Sequence, residues 1–362
     1  MTLTLAAMPA AGANPWDGKT KTEPQKDDSG AYRIGTAAEL AWYAASDGKT
    51  AAKLTADIEL AGFDWTPLKN LYAAFDGQGH VIHNLYINSS SYPVGVFGYV
   101  KTGASVTKLG VTGDVTCTNK TAQAGGIAGY MDSDTSITEC FSKVNVTSKK
   151  HGGGIAGYVN ASSVISDCYA TGRIATISAN ECYLGGICAS GYSNTTGAAL
   201  TNCYFTGTVT GSGGNASYVG GVSCNKTEAS YTNCYYLAGT VSGESPKYGV
   251  TGKGTAKTAD EMKALAPTLG DKFTADRNGV NSGYPVLAWQ LPIVLGDVNG
   301  DGKADNLDAA LVYAYYNGKQ ELSAQQLAAA DVNGDGKADN LDAALIYALY
   351  NGKISAFPAG SR

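Results

Sequence analysis

The chain has 362 residues, enough for two or three domains with a sizeable core. Its net charge is −5, and the stretch from Val294 onward carries nine acids against five bases, so the remainder is nearly neutral and nucleic acid is excluded as a partner. Charged residues make up only 16%, glycines number 47, and no apolar run is long enough to span a bilayer.

Residues 1–13, MTLTLAAMPAAGA, are apolar and end in Ala11-Gly12-Ala13. That is the pattern of a secretory signal and its cleavage site, without the basic residues that usually open one. It implies an extracellular setting. Residues 14–30 are polar and read as a linker. The run from Ile34 to Ala45 is helical in pattern, with Thr36 as cap and Glu39 three residues on. From Leu54 the pattern changes to short β runs: LTADIEL, then FDGQGHVIHNLYI, then VGVFGYV.

A loose repeat follows. The phrases VGVFGYV, GGIAGYM, GGIAGYV, LGGICASG and VGGVSCNK place a glycine at Gly95, Gly126, Gly154, Gly186 and Gly221, with spacings of 31, 28, 32 and 35. Between them lie SVTKLGVTGDV, SITECFSKVNV, VISDCYATGRI, ALTNCYFTGTV and SYTNCYYLAGTV. Short strands at a roughly fixed period, separated by Gly-rich turns, predict a solenoid. Uneven spacing suits a right-handed parallel β-helix with loops of varied length. These phrases, with YRIGTAAELAWYA before them and NSGYPVLAWQ after, resemble the GLUG-repeat surface proteins of bacteria over residues 31–290. The resemblance implies a β-helical fold outside the cell and says little of activity.

Cys140, Cys168, Cys203 and Cys234 recur at one position of the repeat. On a β-helix they would stack along the axis, and as small hydrophobes they fit a narrow interior as free thiols. Phe141, Tyr169, Tyr204 and Tyr235 then point the other way. Tyr169, Tyr204 and Tyr235 are accordingly the candidate ligand-binding row, a line of rings for sugar faces. The alternative is that loops cover them. Glu139, Asp167, Asn202 and Asn233 precede the cysteines and read as a structural corner. His80, His83 and His151 stand in no catalytic constellation.

Thr258 to Phe273 opens as a short helix, capped by Thr258 with Glu261, that Pro267 should end, and it is expected to cover the solenoid end. Then DVNGDGKADNLDAALVYAYYNGK, Asp297 to Lys319, returns as DVNGDGKADNLDAALIYALYNGK, Asp331 to Lys353, differing only at Val312/Ile346 and Tyr315/Leu349. Each opens as D-x-N-x-D-G-x5-D, the spacing of a calcium loop. The first set of oxygen donors is Asp297, Asn299, Asp301, the Lys303 carbonyl, Asp305 and Asp308. The second is Asp331, Asn333, Asp335, the Lys337 carbonyl, Asp339 and Asp342. Hard oxygens at this spacing suit two Ca2+ ions. Between the copies, Leu322 and Leu327 would staple a middle helix around a Ser323–Gln326 capping box.

Aspartate closes each loop, and no helix enters the first one. With the tandem loop-plus-helix units, this resembles the dockerin module of bacterial cellulosomes over residues 294–358. Ala304 and Ala338 depart from it, since dockerins usually carry a β-branched residue there. The resemblance implies a small all-α calcium-binding domain and a cohesin partner on a scaffold protein. It places the partner contact at Asn306, Leu307, Tyr313 and Ala314, and again at Asn340, Leu341, Tyr347 and Ala348. The whole reads as a mainly β protein: a secreted accessory component of a cell-surface or cellulosome-like complex, whose β-helix contacts polysaccharide or a surface. The alternatives are a polysaccharide lyase or glycoside hydrolase, and a structural spacer or adhesin.

Overall fold

The structure, a computed structural model, describes residues 16–179, 181–190, 198–224, 230–244, 254–322 and 324–361. The signal-like segment at 1–13 lies outside these residues. The chain divides into two compact units, 1–259 and 260–362. None of the described helices is long and apolar enough to cross a membrane.

The first unit is a parallel β-solenoid of about five turns. Each turn runs through three walls. The longest wall stacks Ala74–Ser89, Ser105–Cys117, Phe141–Ser148 and Ala199–Phe205 among others. The second wall stacks Gln123–Gly125, His151–Gly153, Glu181–Gly185 and Ala216–Gly220. The third stacks Leu68–Leu71, Phe97–Val100, Ala128–Met131, Ala156–Val159 and Cys188–Ser190. The strands of the second and third walls are too short to stand alone, and parallel stacking pairs each backbone with the turns before and after. Register carries the repeat: Val106, Ile137, Ile165 and Leu200 stand one above another, all buried. Ile127, Ile155, Ile187 and Val222 fill the interior from the turn between the other two walls.

The repeated Gly-Gly pair has a packing cause. A Cβ on Gly186 would lie 2.3 Å from the Phe205 ring, and one on Gly221 would lie 2.1 Å from the Tyr236 ring. Facing Gly126 and Gly154 are the smaller Ser142 and Ala170. The interior thus trades a side chain on one wall for a large one on the opposite wall.

The cysteine ladder faces this core as expected. Cys140, Cys168 and Cys203 are fully buried, and all eight cysteines are free thiols. Burial raises the Cys168 thiol well above its ordinary range, which keeps it protonated. The preceding corner is structural. Glu139, Asp167, Asn202 and Asn233 all take positive φ, between 50 and 53°. Asn and Asp tolerate that left-handed geometry best. Neighbouring amides secure it, with Asn202 Nδ2 donating to Asp167 Oδ1 at 2.9 Å and Asn233 Nδ2 donating to Asn202 Oδ1 at 3.0 Å.

His151 is buried on the second wall. Its ring stacks on Tyr183 at 4.9 Å and meets Tyr158 edge-on at 5.4 Å. Burial, with the Lys150 charge adding, holds its pKa down to about 4 from the ordinary 6.5. The sign follows from linkage. A histidine whose folded pKa is depressed contributes stability above its unfolded pKa, and that stability is lost as pH falls through the folded value. The window is therefore pH 6.5 to about 4, and the size is on the order of 3 kcal/mol. The thermal midpoint of the solenoid should fall across this window, and His151→Phe, which keeps a stacking ring, should flatten that part of the slope. An identical slope in the variant would refute it.

The polar stretch before the solenoid is partly pinned. Trp16 packs against Phe63 and Trp65, Thr22 N–H donates to Ala38 O, and Asp27 pairs with Lys53. Helix α1 (Ala37–Ala44) forms where its cap predicts. Glu39 N–H donates to Thr36 Oγ1, while the Glu39 carboxylate reaches back to Gly35 N–H at 2.8 Å.

Near the second unit, Pro267 departs from expectation. Helix α2 (Ala259–Lys263) stops before it, and the proline lies in the first turn of a second short helix, α3 (Ala266–Leu269). A first turn has no use for the missing N–H, so proline opens a helix as readily as it ends one. An antiparallel pair, Phe273–Thr274 with Val286–Leu287, follows. Then come α4 (Asn306–Tyr316), α5 (Ala324–Ala330) and α6 (Asn340–Tyr350). Ser323 of the expected capping box lies outside the described residues. The core of this module is small: Val298, Val312, Ala330, Val332, Ile346 and Phe357 lead it, and Ala304 and Ala338 pack at its edge. Its two ends meet where the Phe357 ring covers Gly296 and Ala359 N–H donates to Val332 O.

Candidate metal centre and partner face

The two acidic loops fold alike because their donors first organise their own backbones. Gly302 and Gly336 take φ of +87° and +85°, where a side chain would be strained, and reverse each loop. Asp297 Oδ2 accepts from Gly302 N–H at 2.8 Å, and Asp331 Oδ2 accepts from Gly336 N–H at 2.9 Å. Asn299 Oδ1 accepts from Asp301 N–H and Asn333 Oδ1 from Asp335 N–H. Asp301 and Asp335 accept in turn from Lys303 and Lys337 N–H. The residues at alternate positions therefore brace the backbone of their own loop.

The closing aspartates do two jobs. Asp308 accepts from Asn299 N–H at 2.7 Å and Asp305 N–H at 2.9 Å, tying loop start to helix start. Asp342 does the same for Asn333 and Asp339. Asp305 and Asp339 cap α4 and α6 by accepting from Leu307 and Leu341 N–H. Asp308 and Asp342 are both fully buried. Burial raises their pKa, the amide bonds oppose it, and neighbouring carboxylates raise it further. Asp297 Oδ1 is buried with no hydrogen-bond partner. One buried aspartate per loop among three further like-charged carboxylates, with an unpartnered oxygen on Asp297, fits a hard cation. Among the described residues no three His, Cys, Asp or Glu side chains converge on one point. The loop carboxylates instead rest on loop amides.

The helices behind the loops present matching faces. Leu307 and Tyr313 on α4 are each 58% exposed, and Leu341 and Tyr347 on α6 are 54% and 53% exposed. Asn306 and Asn340 are exposed beside them, and Ala314 and Ala348 are half-buried. The two differences between the copies lie elsewhere. Val312 and Ile346 are in the core, and Tyr315 and Leu349 are half-buried. The exposed faces are thus identical residue for residue.

Residues 295–348 match the dockerin type I domain. Dockerin type I domains bind calcium, and the loop donors here fit that ion. Dockerin modules occur in extracellular cellulosome-type proteins, where a cohesin is their partner. No curated protein matches the chain. A crystal structure from Bacteroides ovatus, described as a "putative immunoglobulin A1 protease", is similar in fold, with TM-score 0.54 and 22% identity over 74% of this chain and 95% of that one. Identity at this level speaks for the fold alone.

The aromatic row on the solenoid needs correction. Phe141, Tyr169 and Tyr204 do form a column, with ring centroids 5.3 and 5.1 Å apart and nearly parallel planes. They stand outside the core cluster that holds the cysteines, so the alternation was read rightly. Yet Tyr169 and Tyr204 are fully buried, Phe141 is 4% exposed, and Tyr235 is half-buried with Lys257 Nζ 5.3 Å from its ring. Rings stacked at this spacing also spend their faces on one another. Tyr169 and Tyr204 therefore offer no platform to a sugar, and Tyr235 does not continue an open row.

A different column does reach solvent. Tyr99, Tyr130 and Tyr158 occupy one register position on the third wall, half-buried, with centroids 5.4 and 4.8 Å apart. They are the tyrosines of the repeated Gly-Tyr phrase. Their recurrence was visible in the chain, and it fades in the fourth and fifth turns where the phrase is lost.

Proposed function

We propose that the chain is a secreted accessory protein that docks onto a cohesin-bearing scaffold through its dockerin, with one Ca2+ in each loop, while its solenoid contacts polysaccharide. The observation that carries this reading is the pair of identical exposed Asn-Leu-Tyr faces behind two loops of matched donors. Each face is a small apolar patch with a polar rim, the composition of a specific interface. Cell-surface or cellulosome attachment follows from the scaffold, and the GLUG-like character of residues 31–290 supports an extracellular setting. The test is capture of the full chain on immobilised type I cohesins. Retention in millimolar calcium that disappears in chelator is expected. Retention indifferent to chelator, or none across a broad cohesin panel, would overturn the reading.

A further inference from the structure

A cleft of about 380 Å³ opens beside the exposed tyrosine column. Tyr92, 44% exposed, and Tyr99 form its aromatic sides, and Asp64, Thr66, Lys69 and Asn88 supply polar groups. Its volume is that of a small-molecule site, and its mix of ring and convergent polar groups is that of a ligand pocket. From Tyr99 the column continues along the solenoid axis through Tyr130 to Tyr158. The glycine before each tyrosine lets the walls close up behind it: a Cβ on Gly157 would lie 2.4 Å from Ala124 N. The column is therefore held at the surface by the packing of the repeat itself.

We propose that this cleft and column together bind a neutral polysaccharide chain lying along the solenoid axis. The proposal rests on the polysaccharide reading above and assigns it a site. Three observations choose the occupant. Charges along the track are balanced: Asp64 and Lys69 both line the cleft, and Lys101 and Asp132 form an ion pair at 2.6 Å beside the column. A strongly anionic or cationic ligand therefore gains nothing over a neutral one. The ring spacing is close to the length of one pyranose unit, so successive sugars meet successive tyrosines. The hydroxyls of Tyr99, Tyr130 and Tyr158 make no hydrogen bond to another described residue. Because the rings of Tyr130 and Tyr158 face each other at 7°, the column offers edges and hydroxyls. It would bind by hydrogen bonds along the chain, with ring stacking confined to Tyr92 at the cleft. A tyrosine hydroxyl is protonated at neutral pH and can donate, and burial pushes the Tyr130 pKa further up, to about 12.

The test is native affinity electrophoresis of the full chain in calcium, with xyloglucan, arabinoxylan, mixed-linkage β-glucan, soluble starch and polygalacturonate each cast into the gel. The variants are Tyr92→Ala, and Tyr130→Phe with Tyr158→Phe, which removes two hydroxyls and keeps the stack. Their far-UV spectra should match the parent. We expect retardation by at least one neutral polysaccharide, weakened about tenfold by Tyr92→Ala, the scale of one lost aromatic stack, and about tenfold by the double Phe variant, the scale of one or two lost ligand hydrogen bonds. A parent retarded on a neutral glycan, with both variants retarded equally, overturns this site and leaves the polysaccharide reading standing. A parent retarded by none of the five overturns that reading and this one with it. Retardation by polygalacturonate alone overturns the neutral ligand.

Discussion

Chelation of calcium should erase most of the helical signal of the full chain while leaving its β signal in place. The reason is the imbalance within the C-terminal module. Its core is a handful of side chains, among them Val312, Val332, Ile346 and Phe357. A module of that size seldom folds without a metal or a staple. Against that core stand four carboxylates per loop, with Asp308 and Asp342 fully buried. A cation that binds only the folded loops contributes about 4 kcal/mol per site at a thousandfold excess over Kd. Two such sites are comparable to the whole stability of a small domain. The solenoid has no such dependence, because its interior is apolar columns such as Val106, Ile137, Ile165 and Leu200. Far-UV circular dichroism in calcium and in chelator reads the difference. An unchanged spectrum after verified calcium removal would sink the claim. Asp308→Ala and Asp342→Ala should each reduce the calcium stoichiometry by one. Each also removes a capping acceptor, from Asp305 or Asp339 N–H, worth about 1 kcal/mol. Asp308→Asn keeps an acceptor and separates the two losses.

Legibility differed between the halves for physical reasons. The dockerin was recognisable because its code is local: oxygen-bearing residues at fixed offsets within one loop, then a helix whose register follows from its cap. The partner face at Leu307 and Leu341 came from the resemblance to dockerins, and both residues are exposed. The solenoid was readable as a stack, since its glycines and apolar columns repeat. What covers the outer side of a wall is set by segments far away in sequence, and no periodicity reports it. Hence Tyr169 and Tyr204 were placed on the side away from the core, while the choice between an open row and a covered one, which they are, stayed undecided. The stacking of rung upon rung was also underused, because rings at one register position lie on each other before they meet a ligand. The same reasoning finds Tyr99, Tyr130 and Tyr158 once the three walls are known. Pro267 failed for a smaller reason. Proline excludes a helix interior, and choosing between the two ends depends on flanking residues that say little here.

The matched faces lead to the last expectation: one cohesin should be bound in two orientations of similar affinity. The copies differ at Val312/Ile346, which are in the core, and at Tyr315/Leu349, which are half-buried. A half-turn that exchanges α4 with α6 therefore presents the same Asn, Leu and Tyr to a partner. Leu307, 58% exposed, and Leu341, 54% exposed, lie at the helix starts where each face is most apolar. Leu307→Asp removes one orientation and leaves the other. Affinity should then fall about twofold, or about 0.4 kcal/mol, which is the loss of one of two equal modes. Leu341→Asp alone should do the same. The double change places a carboxylate at the centre of both interfaces, and loss of a central anchor together with burial of an unpaired charge should cost about a hundredfold or more. Neither side chain is a loop donor, and both backbone amides still serve the capping aspartates. Calcium stoichiometry and helix signal should therefore stay at parental values. Titration calorimetry of the four proteins against one cohesin decides the matter. If either single change abolished binding in a module still folded with calcium, the two faces would be unequal and a single orientation would account for docking.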